Sequence, residues 1–390
     1  MHAVVIGSFS GANAGDSLIL AATVKLLNAA HHVARFTIPT SSPAFVERFL
    51  ADDRVHPIDI HPRRTLSYRF INAQLMRAVR RADIVVTTAG IFFDHRLLDP
   101  RFNFVLSLYP LLRSARRSGA VVFAANIGIT AATSRVGAYV MRGALACHDH
   151  VAVRDPDSAQ LAGSLAPHVP VTAHADSAHA LLARAGDRPV AASGARKRIG
   201  LSLTAYMDTY AARSAESHAR GSHDLTATIS ANLGALLARF DLEPIFVATT
   251  AMDYAVHAAV AQRIGRPAQH VKIYEYTIQE LIRVFDGLDY FIGSRLHSCI
   301  AATARGIPTI AAAYHPKVSS FMREIGCAEW TLSVPALGEP ALHHAFARLM
   351  EHESAVSGHL LRANAERVAA AMATFDLLRP DAMIWSARRH

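Results

Sequence analysis

The sequence predicts an α/β protein of two Rossmann-like domains, each wound around a parallel sheet. Three observations carry that expectation. Short, continuous β-friendly runs recur along the chain, of the kind that a sheet covered on both faces requires. Helical patterns separate them, as in βαβ units. A polar stretch then divides 390 residues near the middle, and at roughly 150 residues per domain that length suits two or three units.

The first run is Ala3-Val4-Val5-Ile6, followed by a Gly-, Ser- and Asn-rich turn over Gly7–Gly15. Asp16 or Ser17 is then expected to cap a helix that presents Leu18, Ile19, Ala22, Leu26 and Leu27. The pattern repeats at 82–86, 120–124 and 151–153, leading into Thr87-Thr88-Ala89-Gly90, Asn126-Ile127-Gly128 and Arg154-Asp155. Residues 184–198, rich in Gly, Pro, Ser and Arg, read as the linker. Strand-then-helix alternation restarts at 199–203 and continues through 244–248, 290–293 and 309–312. Residues 340–370 are helical in pattern. The expected domains are 1–190 and 191–390, the second carrying C-terminal helices, facing each other across a cleft.

Composition narrows the function classes. With 51% hydrophobic and 18% charged residues the chain is not disordered. Forty Lys and Arg against 31 Asp and Glu leave +9, which favours anionic partners: phosphorylated metabolites, acidic membrane surfaces or nucleic acid. Three scattered cysteines argue against a disulfide framework and for a reducing compartment. With no Lys or Arg before the first apolar run and no membrane-length segment, a cytoplasmic protein is expected.

Several segments carry side chains suited to chemistry. Gly293-Ser294-Arg295-Leu296-His297-Ser298 follows a strand, at the end where ligands of open α/β sheets collect. Arg295 offers a bidentate fork for carboxylate or phosphate, and His297 can move protons near neutrality. Against this stand the 22 histidines of the chain, among which one beside an arginine is common. Arg154, Asp94 and Lys317 also follow strands, and their repeated placement favours a shared site. The Gly7–Asp16 turn, with Gly15, is a candidate anion cradle, although an ordinary strand–helix turn explains it as well. Cys147-His148-Asp149-His150 is contiguous, unlike the spaced pairs of zinc sites, so no metal is expected. Arg63-Arg64 and Arg80-Arg81 read as solvated faces or as contacts to an acidic membrane.

Taken together, Asn13-Ala14-Gly15-Asp16, Gly90–Asp94, Arg154-Asp155-Pro156-Asp157-Ser158, Ile292–Ser298, Gly306-Ile307-Pro308 and Tyr314-His315-Pro316-Lys317-Val318 resemble the polysaccharide pyruvyl transferase family, in the family's order. The resemblance implies a glycosyltransferase-B-like fold. It implies transfer of the enolpyruvyl unit of phosphoenolpyruvate to a sugar of a polysaccharide, glycolipid or glycoside, giving a pyruvate ketal and phosphate. On that expectation phosphoenolpyruvate is the donor substrate and no cofactor is needed. Arg154 and Arg295, with Lys317, would bind its anionic groups, and His297 would be the general acid. Asp94 or Asp16 would take a hydroxyl proton, with Gly15, Asp16 and Ser298 lining the substrate site. The acceptor would be polymeric, lipid-linked or a small glycoside, with peripheral contact to an anionic membrane.

Two rivals remain at this level. A nucleotide-sugar glycosyltransferase shares the architecture, and Glu275 or Glu280 offers the carboxylate it would need. A non-catalytic nucleic-acid-binding protein rests on charge alone, with no basic, aromatic-interleaved stripe, so no nucleic-acid partner is expected.

Overall fold

Val4, Ile6 and Val85 pack into one apolar cluster, while Ala3, Val5, Ile84 and Val86 pack into another. Alternate residues of one strand therefore feed opposite faces of a sheet, which is why these strands read as unbroken apolar runs. The computed structural model describes residues 1–60, 72–99, 103–184, 186, 196–204 and 222–379. They form two compact units. The first comprises Met1–Gly11, Asp16–Leu181 and the chain from Arg367 onward; the second comprises Ala12–Gly15 and Leu182–Glu366. Most of the expected linker lies outside the described residues.

The first unit contains β1 (His2–Ile6), α1 (Ala14–His31), β2 (Arg35–Thr40), α2 (Pro43–Leu50), β3 (Val55–Asp59), α3 (Ala73–Arg80) and β4 (Ile84–Thr88). It continues with α4 (Val105–Arg117), β5 (Val121–Ile127), α5 (Arg135–Leu145), β6 (His150–Val153), α6 (Pro156–Leu165), β7 (Val171–Ala173) and α7 (His179–Leu182). Its sheet is parallel, in the order β3-β2-β1-β4-β5-β6-β7. Helix α1 starts at Ala14, before the expected cap, because the Asn13 side chain accepts from the Gly15 amide at 3.0 Å. Asp16 thus sits in the first turn, where a carboxylate complements the helix dipole.

The second unit contains β8 (Arg198–Ser202), α8 (Ser222–Arg239), β9 (Glu243–Ala248), α9 (Ala251–Ile264), β10 (Gln269–Lys272) and α10 (Ile278–Asp286). Then come β11 (Tyr290–Gly293), α11 (Leu296–Ala304), β12 (Thr309–Ala313), α12 (Pro316–Glu324), β13 (Thr331–Ser333), α13 (Pro340–Glu351) and α14 (Glu353–Asp376), of which the part from Arg367 onward belongs to the first unit. The strand order β10-β9-β8-β11-β12-β13 repeats that of the first unit. Both sheets reverse strand order beside their first strand, the place where Rossmann-like folds bind ligands. No described helix is long and apolar enough to cross a membrane.

Two histidines tie this fold to pH. His148 is buried, with Nε2 2.8 Å from Thr87 Oγ1 and Nδ1 3.0 Å from the Ala144 carbonyl. His257 is fully buried, with Nε2 2.9 Å from the Leu203 amide. Burial pushes both imidazoles down to about 4. For His257 the fall is set first by burial, with Asp253 opposing it and Arg295 adding to it. The unfolded chain then binds protons that the native state refuses, so stability is complete above pH 6.5 and is lost as pH falls toward 4. Each histidine accounts for a loss on the order of 3 kcal/mol across that window. Denaturant melts of the parent and His148→Gln at pH 7 and pH 5 check this: the parent should lose more stability by about 2 kcal/mol. Equal losses would mean that His148 titrates normally in the native state.

Candidate functional site

The second unit's site is built where β8 and β11 lie side by side. The Ser294 amide and hydroxyl both donate to the Ser202 carbonyl, at 2.8 and 3.0 Å, and tie the two strand ends together. Arg295 follows in extended conformation as the N-cap residue of α11, and Ser298 Oγ donates to its carbonyl at 2.8 Å. Ser298 is thereby fully buried and engaged within its own turn.

The Arg295 guanidinium meets Asp253 edge-on. Nη2 lies 2.7 Å from Oδ1, and Nε lies 3.2 and 3.3 Å from the two carboxylate oxygens. Asp253 is completely buried, and it also accepts from Thr249 Oγ1 at 2.8 Å and the Thr250 amide at 3.1 Å. With Thr250 it forms the capping box of α9. One turn further along α9 stands His257, whose ring bonds the Leu203 backbone beyond the end of β8. Helix α9 thus brings a buried carboxylate and a neutral imidazole to the Arg295 end of the sheet. A carboxylate clamped on one edge fixes the plane of the fork, which is what pre-organises an arginine for a second anion.

His297 stands in the first turn of α11, partly buried. Its ring lies against the backbone of Gly15, where an added Cβ would come within 2.0 Å of Nδ1. The short Ala12–Gly15 segment is held there by an antiparallel bridge between Asn13 and Thr250 and by the Ala14 amide, 3.0 Å from the Thr249 carbonyl. The Ala14 and Gly15 amides of the expected anion cradle therefore donate to Thr249 and Asn13. Gly15 instead provides a surface on which the His297 ring rests. Lys317, half-buried in the first turn of α12, follows β12, the strand paired with β11.

In the first unit Arg154 directly follows β6, and its amide donates to the Ile127 carbonyl at 3.1 Å. The guanidinium is buried: Nη1 lies 3.0 Å from Asp176, Nε 3.7 Å from Asp155, and Nη2 passes close over Gly128. Asp155 also caps α6 through the Ser158 amide.

Asp94 is 5% exposed and accepts from the amides and hydroxyls of both Thr133 and Ser134, at 2.7–3.0 Å. Burial acts to raise its pKa, but these donors outweigh it and hold the carboxyl below its usual range. A carboxylate engaged in this way is a weak proton acceptor and a strong support for the start of α5. Asp94→Ala should cost about 2–4 kcal/mol of stability by leaving buried donors without a partner. Chemical denaturation measures it, and an unchanged midpoint would remove Asp94 from this supporting role.

Sequence reasoning does not single out Asp253, Thr250, His257 or Asp176. The Thr250-Ala251-Met252-Asp253 spacing is a helix-start signal. Nothing in it announces a partner 42 positions later.

The family model described as polysaccharide pyruvyl transferase matches residues 13–316. The chain belongs to that family. The matched region contains Gly15, Asp16, Asp94, Arg154, Arg295, His297 and Ser298, and it stops one residue short of Lys317. Membership makes the protein a transferase. A search of curated proteins finds no match to the sequence.

Among solved structures, the chain is similar to a UDP-GlcNAc 2-epimerase from Neisseria meningitidis bound to UDP-GlcNAc, at TM-score 0.60 and 10% identity, covering 97% of this chain and 98% of that one. A putative UDP-N-acetylglucosamine 2-epimerase from Listeria monocytogenes gives TM-score 0.62 and 10% identity over 97% and 94%. A glycosyltransferase from Rickettsia africae gives 0.56 and 10% over 98% and 99%. At such identities the likeness is one of fold. It agrees with two Rossmann-like units of the glycosyltransferase-B type.

Proposed function

We propose that the protein moves the enolpyruvyl unit of phosphoenolpyruvate onto two hydroxyls of one sugar in a polysaccharide, glycolipid or glycoside. Family membership supports the reaction class, and one observation carries the residue assignment. Arg295 and His297 leave the same strand end, the first with its fork clamped by buried Asp253 and the second seated on Gly15.

In this reading His297 gives a proton to the donor's methylene carbon, which makes the adjacent carbon electrophilic. One sugar hydroxyl adds there, and the bond to phosphate breaks. The second hydroxyl adds to the same carbon and closes the ketal. Of the two hydroxyl protons released, one restores His297 and the other leaves with phosphate. Arg295 stabilises the carboxylate or the departing phosphate, with Lys317 as a further cation of its unit. Arg154 enters as the anion-binding residue of the first unit. The scheme requires neither a metal nor a cofactor.

The test is incubation with phosphoenolpyruvate and a panel of glycosides, following phosphate release and product mass. The expected product is heavier than its acceptor by one pyruvate less one water. Binding of UDP-sugars without binding of phosphoenolpyruvate would replace this reading with nucleotide-sugar chemistry.

A further inference from the structure

A cavity of about 270 Å³ opens in the first unit between the sheet β1-β2-β3 and helix α3. Its walls include His2, Arg35, Thr37, His56, Arg77 and Arg81. His2 pairs in register with Arg35, and Thr37 with His56, so adjacent strands bring these side chains together. His2 and Arg35 begin their strands, whereas Arg154 follows the end of β6 in the same parallel sheet. The cavity thus belongs to the opposite edge from the one that carries Arg154.

The lining is cationic and weakly compensated. Arg35, Arg77 and Arg81 are exposed, and among the described residues none of them pairs with a carboxylate. Arg77 and Arg81 stand four apart at the end of α3, where like charges repel. Neighbouring Arg80 turns away to Ser114, at 3.0 Å. The acid beside the cavity, Asp83, accepts from the His2 amide at 2.7 Å. Thr37 is buried, and its hydroxyl lies 2.8 Å from His2 Nε2. The His2 imidazole is lowered from its ordinary value, first by burial and then by Arg35 and His56, against the Arg81 carbonyl and Asp83. A field this positive costs stability unless something negative enters it.

We propose that this cavity binds a phosphate-bearing anion, held by the guanidinium groups of Arg35, Arg77 and Arg81. Three planar forks around one cavity suit a group with several acceptor oxygens better than they suit a lone carboxylate. The volume is several times the roughly 30 Å³ share of one water, enough for a phosphate ester or a diphosphate. Such a group reaches the protein either as a free phosphorylated molecule or as an anionic lipid headgroup. The site is independent of the proposed reaction, and its test needs no turnover.

The experiment compares the full chain with the Arg35→Gln/Arg81→Gln double variant and with Arg113→Gln, a control at an exposed arginine outside the cavity. Inorganic pyrophosphate is titrated by calorimetry at low salt. Vesicles of phosphatidylglycerol and of phosphatidylcholine are tested by co-sedimentation. Without ligand the double variant should melt at or above the parent temperature, because a repulsion has been removed. It should bind the responding probe about tenfold more weakly or worse, while Arg113→Gln matches the parent. Pyrophosphate binding alone identifies a free ligand; capture by phosphatidylglycerol vesicles and not by phosphatidylcholine identifies a headgroup. Absence of binding to both probes, or equal binding by parent and double variant, overturns the proposal. Arg77→Gln provides the same comparison if the double variant fails to fold.

Discussion

Replacing His297 by alanine should lower phosphate release about a hundredfold or more, the usual scale for losing a general acid, while phosphoenolpyruvate still binds. In the proposed reaction, binding draws on charge, for which the arginines are the proposed source. Protonation of a methylene carbon draws on a group that can give up a proton. The ring is partly buried against the Gly15 backbone, so its removal also takes away some packing. The unliganded melting temperature must therefore be measured beside turnover. An intact fold with parental turnover defeats the assignment. If the alanine variant is badly destabilised, His297→Gln keeps most of the contact with Gly15 and tests the chemistry in its place. The complementary change, Gly15→Ala, should impair turnover by displacing the ring, since the new methyl would come within 2.0 Å of Nδ1.

Arg295→Lys should lose most activity although the charge is kept. Asp253 is fully buried and receives two guanidinium nitrogens along one edge. A lysine ammonium is a single point and cannot reproduce that fork. The buried carboxylate is then poorly matched, and weakening such a pair costs stability as well as orientation. We expect a fall in turnover of about a hundredfold, as for other losses of transition-state charge stabilisation, and a drop in melting temperature. Binding of phosphoenolpyruvate should weaken too, which distinguishes this variant from His297→Ala. Parental rates would demote Arg295 to a structural partner of Asp253.

The central strands are legible in the sequence because they are buried on both faces. Val4-Val5-Ile6 and Tyr290-Phe291-Ile292 need no partner information to be recognised as interior. The flanking strands are not. Arg35–Thr40 contains Arg35 and Pro39, Gln269–Lys272 is mostly polar, and Val171–Ala173 has only three residues. Their pairing comes from the neighbouring strand and not from their own pattern. The same distinction applies to the site. Arg295 and His297 can be found because they share one segment. Asp253 cannot, since only the fold of the second unit carries α9 to the end of β11. Asp94 shows the opposite limit: its place after a strand favours a site, and the family resemblance implies a proton-accepting role for it or Asp16, whereas its four donors, contributed by Thr133 and Ser134, are visible only in three dimensions.

Helix α14 and the residues just after it have a consequence for the order in which the chain assembles during synthesis. Phe375 and Leu378 are buried in the same apolar cluster as Leu27, Val33 and Phe36, and Thr374 donates to Asn126 beside the irregular end of β5. The first unit's strands leave the ribosome early, but these plugs arrive nearly two hundred residues after Leu181. At ordinary elongation rates that is a delay on the order of tens of seconds. Throughout it the nascent first unit holds an open apolar socket, a surface that chaperones bind and other chains can wrongly fill. The second unit is nearly continuous in sequence and can condense during the same interval. The segment made first is therefore among the last to be finished.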